Sequence, residues 1–203
     1  MTFDDFKAYI CDLQNDCTAI LAGKEGEYGT TDRLIAFKTS CVLTHKTPVE
    51  TWLSYWSKGI IALYDTIAAK KDINIELIKD GINYLYLLEC LLKFEDQNVT
   101  TDMLLSEAGQ SFHFCCDTLV EKAKRYCAGD EDRLGMFKRT ALILRSTPES
   151  VLASYMVKHT DSIITMVNNH ETDTDLWIEK ITDHINYLFL LGALIEDRKR
   201  GVA

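Results

Sequence analysis

The chain has 203 residues, 47% of them hydrophobic, with two prolines, ten glycines and a formal net charge of -9. That length holds one large or two small domains with a full core, and so few turn formers leave little punctuation for a β-rich fold. The acidic balance argues against binding along a nucleic-acid backbone, which needs a basic surface.

The seven cysteines are scattered apart from Cys115-Cys116, and none form CxxC. This pattern reads as reduced thiols, mostly small core residues, rather than a disulfide framework or a zinc site. No apolar run approaches the ~20 residues that cross a bilayer. The start, Met1-Thr2-Phe3-Asp4-Asp5, is acidic and lacks a signal-peptide basic region, so a cytoplasmic protein with no membrane attachment is expected.

In chain order, a first helix is expected from about Thr2 to Lys24. Thr2 caps it, Asp4 and Asp5 favour its dipole, and Phe3, Phe6, Ile10, Leu13, Cys17 and Leu21 form a helical stripe. A break at Gly23, Gly26 and Gly29 follows, and Thr31-Asp32-Arg33 opens a second helix to about Leu43. Thr47-Pro48-Val49-Glu50 is a helix start with the cap, the first-turn proline and the third-position Glu of a capping box. That third helix runs to about Ala69. A fourth spans Ile75 to about Phe94.

The pattern then begins again. Asp132-Arg133-Leu134 and Phe137-Lys138 answer Asp32-Arg33-Leu34 and Phe37-Lys38. Thr147-Pro148 answers Thr47-Pro48, and Ser154-Tyr155 and Lys158 answer Ser54-Tyr55 and Lys58. Lys24 and Tyr28 find partners in Lys122 and Tyr126 after a two-residue slip. The sequence therefore reads as a tandem duplication, residues 1–98 and 99–203, each copy four helices. Four helices with short loops make a small antiparallel bundle, and a tandem copy mimics the two-fold dimer of a single-copy ancestor. The expected fold is all-α, two tandem four-helix units packed as a pseudo-two-fold dimer. A linear helical solenoid is the alternative. The fourth helices, Tyr84-Leu85-Tyr86-Leu87-Leu88 and Tyr187-Leu188-Phe189-Leu190-Leu191, are apolar all round and belong at the centre.

Those helices also carry the polar signal. Glu76, Asp80 and Asn83 stand at i, i+4 and i+7, and Glu179, Asp183 and Asn186 repeat the spacing, so each trio shares one helix face. A solvated face is the plain reading of one such pair; its recurrence favours a polar site or a buried network. Asn83 and Asn186 weigh most, because an amide buried in a Leu-rich helix is costly without a partner. Competing readings stand beside the others. Asp32-Arg33 and Asp132-Arg133 fit a first-turn Asp plus a surface Arg. Lys58 and Lys158 fit surface lysines, although Asp65 follows on the same helix face as Lys58. His159 fits a structural histidine, and Tyr84 and Tyr187 fit core residues with a bonded hydroxyl. Trp52, Tyr55 and Trp56 fit the core first and a base-stacking platform second.

The string Lys24…Glu27-Tyr28…Asp32-Arg33…Phe37-Lys38…Thr47-Pro48…Lys58…Asp65…Glu76…Asp80…Asn83-Tyr84 resembles a family of small all-α phage and bacterial proteins. More distantly it is similar to the nucleotide-modification-associated domain and to MazG-like all-α nucleotide pyrophosphatases. The resemblance implies Mg²⁺ held by Glu76, Asp80, Glu179 and Asp183. It implies a nucleotide site of Asp32, Arg33, Lys58, Asn83, Tyr84, Asp132, Arg133, Lys158, His159, Asn186 and Tyr187, with the basic residues taking the phosphates. The copies depart from the pattern and from each other. Gly59 stands where the family has His, and the second copy keeps His159 but has Arg125 and Thr165 in place of Glu27 and Asp65. Neither copy has the paired Glu-x-x-Glu of MazG-like enzymes, so no catalytic residue is assigned.

Three functions follow as expectations. One is a Mg²⁺-dependent nucleotide pyrophosphohydrolase of phage type. Another is a non-catalytic protein that sequesters a nucleotide immune signal. The third is a protein-binding inhibitor of host defence. The site is expected where the polar faces of the third and fourth helices meet near the junction of the copies, in a pseudo-dimeric monomer or a homo-oligomer.

Overall fold

A computed structural model describes residues 1–24, 31–126 and 131–201. Among these residues the chain forms eight α-helices and no strand: α1 Phe3–Gly23, α2 Ile35–Thr44, α3 Pro48–Ala68, α4 Ile75–Phe94, α5 Thr101–Tyr126, α6 Gly135–Leu144, α7 Pro148–Asn168 and α8 Thr174–Gly201. No helix among them is long and apolar enough to cross a membrane. Gly26, Glu27, Tyr28, Gly29 and the side chain of Tyr126 lie outside the described residues.

The caps form as the sequence predicts. Thr2 with Asp5, and Thr47 with Glu50, each close a capping box, and Thr147 caps α7 through the Ser150 amide. The second helix differs from expectation: it starts at Ile35, not Thr31. The Asp32 carboxylate accepts the Leu34 amide, bending the chain into an Asx turn before the helix begins, and Asp132 does the same to Leu134. The backbone repeats down to its unusual residues. His45 and Lys70 have φ of 54° and 52°, and their counterparts Arg145 and His170 have 50° and 52°. Each turns the chain just after a helix in the left-handed region that helix ends use.

The helices α4 and α8 pack against each other, and each also touches helices of both sequence copies: α4 meets α1, α3 and α5, and α8 meets α1, α5 and α7. The contact between them is close. A Cβ added at Gly81 would come within 3.1 Å of Leu188. Leu85, Tyr86, Leu88, Leu91, Leu188, Phe189 and Leu191 are fully enclosed, as the all-round apolar pattern requires. Trp52 and Trp56 stack in the core with ring centres 5.1 Å apart. The Trp52 indole donates to the Tyr84 carbonyl at 2.6 Å, so these rings pack the interior and hold α4.

Two buried polar chains cross between the copies. Tyr86 donates to Gln14, which bonds the Ala108 carbonyl, joining α4, α1 and α5. Tyr64, Thr160 and His184 join α3, α7 and α8 at 2.8 and 2.9 Å. His184 is fully buried, and burial lowers its pKa to about 3. Burial has the opposite sign for Glu89, raising its carboxyl to about 8, against the pull of the Ser111 hydroxyl and Lys93.

These two groups set opposing pH slopes. From their unfolded values of 6.5 and 4.5, unfolding takes up a proton at His184 below pH 6.5 and releases one at Glu89 between pH 4.5 and 8. Between pH 4.5 and 6.5 they offset each other at about 1.4 kcal/mol per pH unit each. His184→Leu should therefore lose about 2 kcal/mol as pH rises across that window, while Glu89→Gln should gain about as much. Glu89→Gln should also remove the decline from pH 6.5 to 8. Urea midpoints at pH 4.5, 6.5 and 8 measure all three slopes, and parallel curves for wild type and variants would refute the assignment.

Candidate functional site

Two cavities, one in each copy, are lined by corresponding residues. The first, about 230 Å³, is enclosed by Leu21 of α1 and Lys24 just after it, Asp32 and Arg33, Phe37 of α2, Tyr55 of α3, and Asp80, Asn83, Tyr84 and Leu87 of α4. The second, about 300 Å³, is enclosed by Leu119 and Lys122 of α5, Arg133, Phe137 of α6, Tyr155 of α7, and Asp183, Asn186, Tyr187 and Leu190 of α8. Each lies inside one copy. The third helix contributes only Tyr55 or Tyr155 to these linings, and the fourth helix contributes most, with the first two helices and the Asp-Arg segment closing the rest.

The floor of each cavity is an asparagine. Asn83 is 5% exposed and Asn186 3%, and neither the amide nitrogen nor the oxygen of either has a hydrogen-bond partner among the described residues. A buried amide left unpaired costs roughly 1–3 kcal/mol, and here the cost recurs. Aromatic rings form the walls. Phe37 meets Tyr55 edge-on at 5.8 Å and Tyr84 at 6.5 Å, and Phe137 meets Tyr155 at 6.3 Å. Cations stand at the margin. The Arg33 guanidinium donates to the Leu21 carbonyl at 2.7 Å, which anchors it beside the cavity, and Arg133 lies over the Phe6 ring at 5.1 Å.

The Asp-Arg pairs hold the chain together as well. Asp32 accepts the amides of Leu34 and Val99 and the Lys38 ammonium, while the Arg33 amide donates to the Val99 carbonyl. Burial raises the Asp32 carboxyl, but these donors outweigh it and hold the pKa below the usual range. In the second copy the Arg133 amide donates to the Met1 carbonyl, and Asp132 bonds Lys138, the Leu134 amide and the Met1 amino group. Each pair thus clasps the segment leading into the first helix of the other copy.

The other predicted residues separate. Lys58 and Lys158 are exposed and line neither cavity. Glu76 and Glu179 are exposed, pair with Lys79 and Lys180, and also stay outside. Asp80 lines the first cavity and Asp183 the second. Asp183 bonds Lys122, and its other oxygen lies 3.5 Å from His159, whose ring sits 5.0 Å from Tyr187. Burial lowers the His159 pKa while Asp183 pulls it back up. The described residues contain no group of three or more His, Cys, Asp or Glu able to hold a metal ion. Lys24, Phe37 and Lys122 were not predicted as site residues. Their signal was the repeat itself, which returns Lys24 as Lys122, Phe37 as Phe137 and the half-exposed Tyr55 as Tyr155.

Comparison with protein-family models, curated proteins and solved structures gives no match.

Because Asn83 has no protein partner to strand, Asn83→Leu should leave the urea midpoint unchanged or raise stability by about 1 kcal/mol. Asn186→Leu should behave alike. A loss above 1 kcal/mol in either would mean that the amide anchors a network.

Proposed function

We propose that this protein binds a nucleotide in each of its two matched cavities, and that its copies are two four-helix units packed as a pseudo-two-fold dimer. The observation that carries the reading is the pair of buried, unpartnered asparagines in aromatic-walled cavities. An amide offers a donor beside an acceptor, which matches the edge of a nucleobase. Phe37, Tyr55 and Tyr84 supply faces for a flat ring, and Lys24 and Arg33 supply charge for a phosphate. Lys122, Arg133, Phe137, Tyr155 and Tyr187 repeat the set. The symmetric pairing of α1 with α5, α3 with α7 and α4 with α8 supports the pseudo-dimer.

Binding without cleavage fits these residues better than hydrolysis. Among the described residues the first cavity has two carboxylates, Asp32 and Asp80, and the second has one, Asp183; Asp32 is already engaged by Lys38 and Asp183 by Lys122. A Mg²⁺ site needs several oxygen ligands, so phosphate oxygens would have to complete it.

Calorimetric titration with mono-, di-, tri- and cyclic nucleotides should give two sites per chain. Asn83→Leu and Asn186→Leu should each remove one site, Lys24→Ala should weaken the first about tenfold, and chelator should change little. Recovery of unaltered nucleotide by mass spectrometry supports sequestration; recovery of monophosphate and pyrophosphate would restore the hydrolase. The absence of heat with every nucleotide would overturn the reading and leave an inhibitor that acts on a protein.

A further inference from the structure

A third cavity, about 480 Å³, lies between the C-terminal half of α4, the N-terminal half of α5 and the start of α8. It shares no residue with the two cavities above. Its charged lining is Glu89 and Lys93 of α4, Glu95 just after that helix, Glu107 of α5, and Glu171 before α8. Trp177 and Phe114 give it apolar walls, and the Trp177 indole is fixed by donating to the Glu171 carbonyl at 3.0 Å.

Glu89 is the unusual member. It is 9% exposed, and its only hydrogen bond among the described residues is the one its Oε1 accepts from Ser111 at 3.0 Å, which leaves Oε2 without a partner. The repeat-related place, between α1 and α8, shows how this position is otherwise filled. By the register that pairs Asn83 with Asn186 and Lys24 with Lys122, Gly192 stands for Glu89 and Tyr9 for Glu107. There the Tyr9 hydroxyl would lie 2.7 Å from a Cβ on Gly192, so the ring occupies the space, and the remaining cavity is about 160 Å³. One place, built by Glu89 of the first copy and Glu107 of the second, has two carboxyl groups and open volume where its repeat-related place has the Tyr9 ring against Gly192.

We propose that this cavity binds a small organic cation, an alkylammonium or polyamine, with its nitrogen at the carboxyl groups of Glu89 and Glu107 and its hydrocarbon against Trp177 and Phe114. Four carboxyl groups face one lysine here, and Lys93 is bonded to Glu107. A cation entering beside the partnerless Glu89 oxygen supplies the missing opposite charge in a poorly solvated place, where the attraction is strongest. The aromatic walls favour an ammonium carried on an alkyl chain over a bare, strongly hydrated ion. Glu89 is mostly protonated at neutral pH, since burial raises it to about 8. The arriving charge favours its ionised form, so binding expels the proton from the Glu89 carboxyl to solvent.

Titration calorimetry with 1,4-diaminobutane at pH 7, in two buffers of different ionisation enthalpy, measures both affinity and proton release. The diamine should bind with close to one proton released, and 1,4-butanediol, of the same length without charge, should not bind. Glu89→Gln keeps an acceptor for Ser111 and should fold normally by circular dichroism. It should abolish the proton release and weaken the diamine about tenfold. Three results would each overturn the proposal: no heat with low-millimolar diamine, equal binding of the diol, or a Glu89→Gln titration matching wild type in affinity and proton count.

Discussion

A helix that is apolar on nearly every side must be covered on nearly every side, and this requirement on α4 and α8 shapes the molecule. One four-helix unit covers only part of such a helix. The remainder is buried by the other copy, with α4 and α8 against each other and with α5 and α1 closing the flanks. The same requirement locates the two matched cavities. They lie over the face of α4 and α8 that exchanges leucine for Asp, Asn and Tyr.

Much of the fold was legible in the sequence because its signals are local. Capping boxes, first-turn prolines and the 3.6-residue stripe depend on neighbours a turn away, and the Thr-Pro helix start recurs at Thr147-Pro148. The second helix was misjudged at its start because Asp32 was read as a first-turn residue, whereas its carboxylate turns back to the Leu34 amide and also takes the Val99 amide, 67 residues on. The site was legible in part for the same reason. Asp80, Asn83 and Tyr84 sit within a turn of one another and reach one cavity. Glu76 shares their face but lies a turn nearer solvent, where Lys79 takes it. The spacing identified the face; it did not show how far the neighbouring helices extend over it. Lys58 and Lys158 recur like the cavity-lining residues, yet recurrence marks solvent-facing positions as readily as lining ones.

The Asp-Arg pairs join fold and site. In each, the Asp and the Arg amide hold the entry to the other copy's first helix while the Arg side chain borders its own copy's cavity. One dipeptide therefore fixes the position of a cation beside a cavity and the register of a distant segment. This economy explains why the dipeptide survives in both copies while much of the surrounding sequence has drifted.

The copies nevertheless differ at the point that governs charge. Asp183 is bonded to Lys122 and neighboured by His159, whereas Gly59 stands at the place of His159 in the first copy, and no ion pair is formed by Asp80 among the described residues. An anion entering the second cavity must compete with Asp183 for Lys122, while one entering the first meets Lys24 without that competition. Protonation of His159 changes the balance, because an imidazolium beside Asp183 offsets the carboxylate and leaves more of the Lys122 charge for a ligand. Burial lowers the His159 pKa against the pull of Asp183, and the two cavities, alike in their asparagines and rings, present different fields to the same anion. The repeat keeps the asparagines and rings of the two cavities and varies the charged groups beside them.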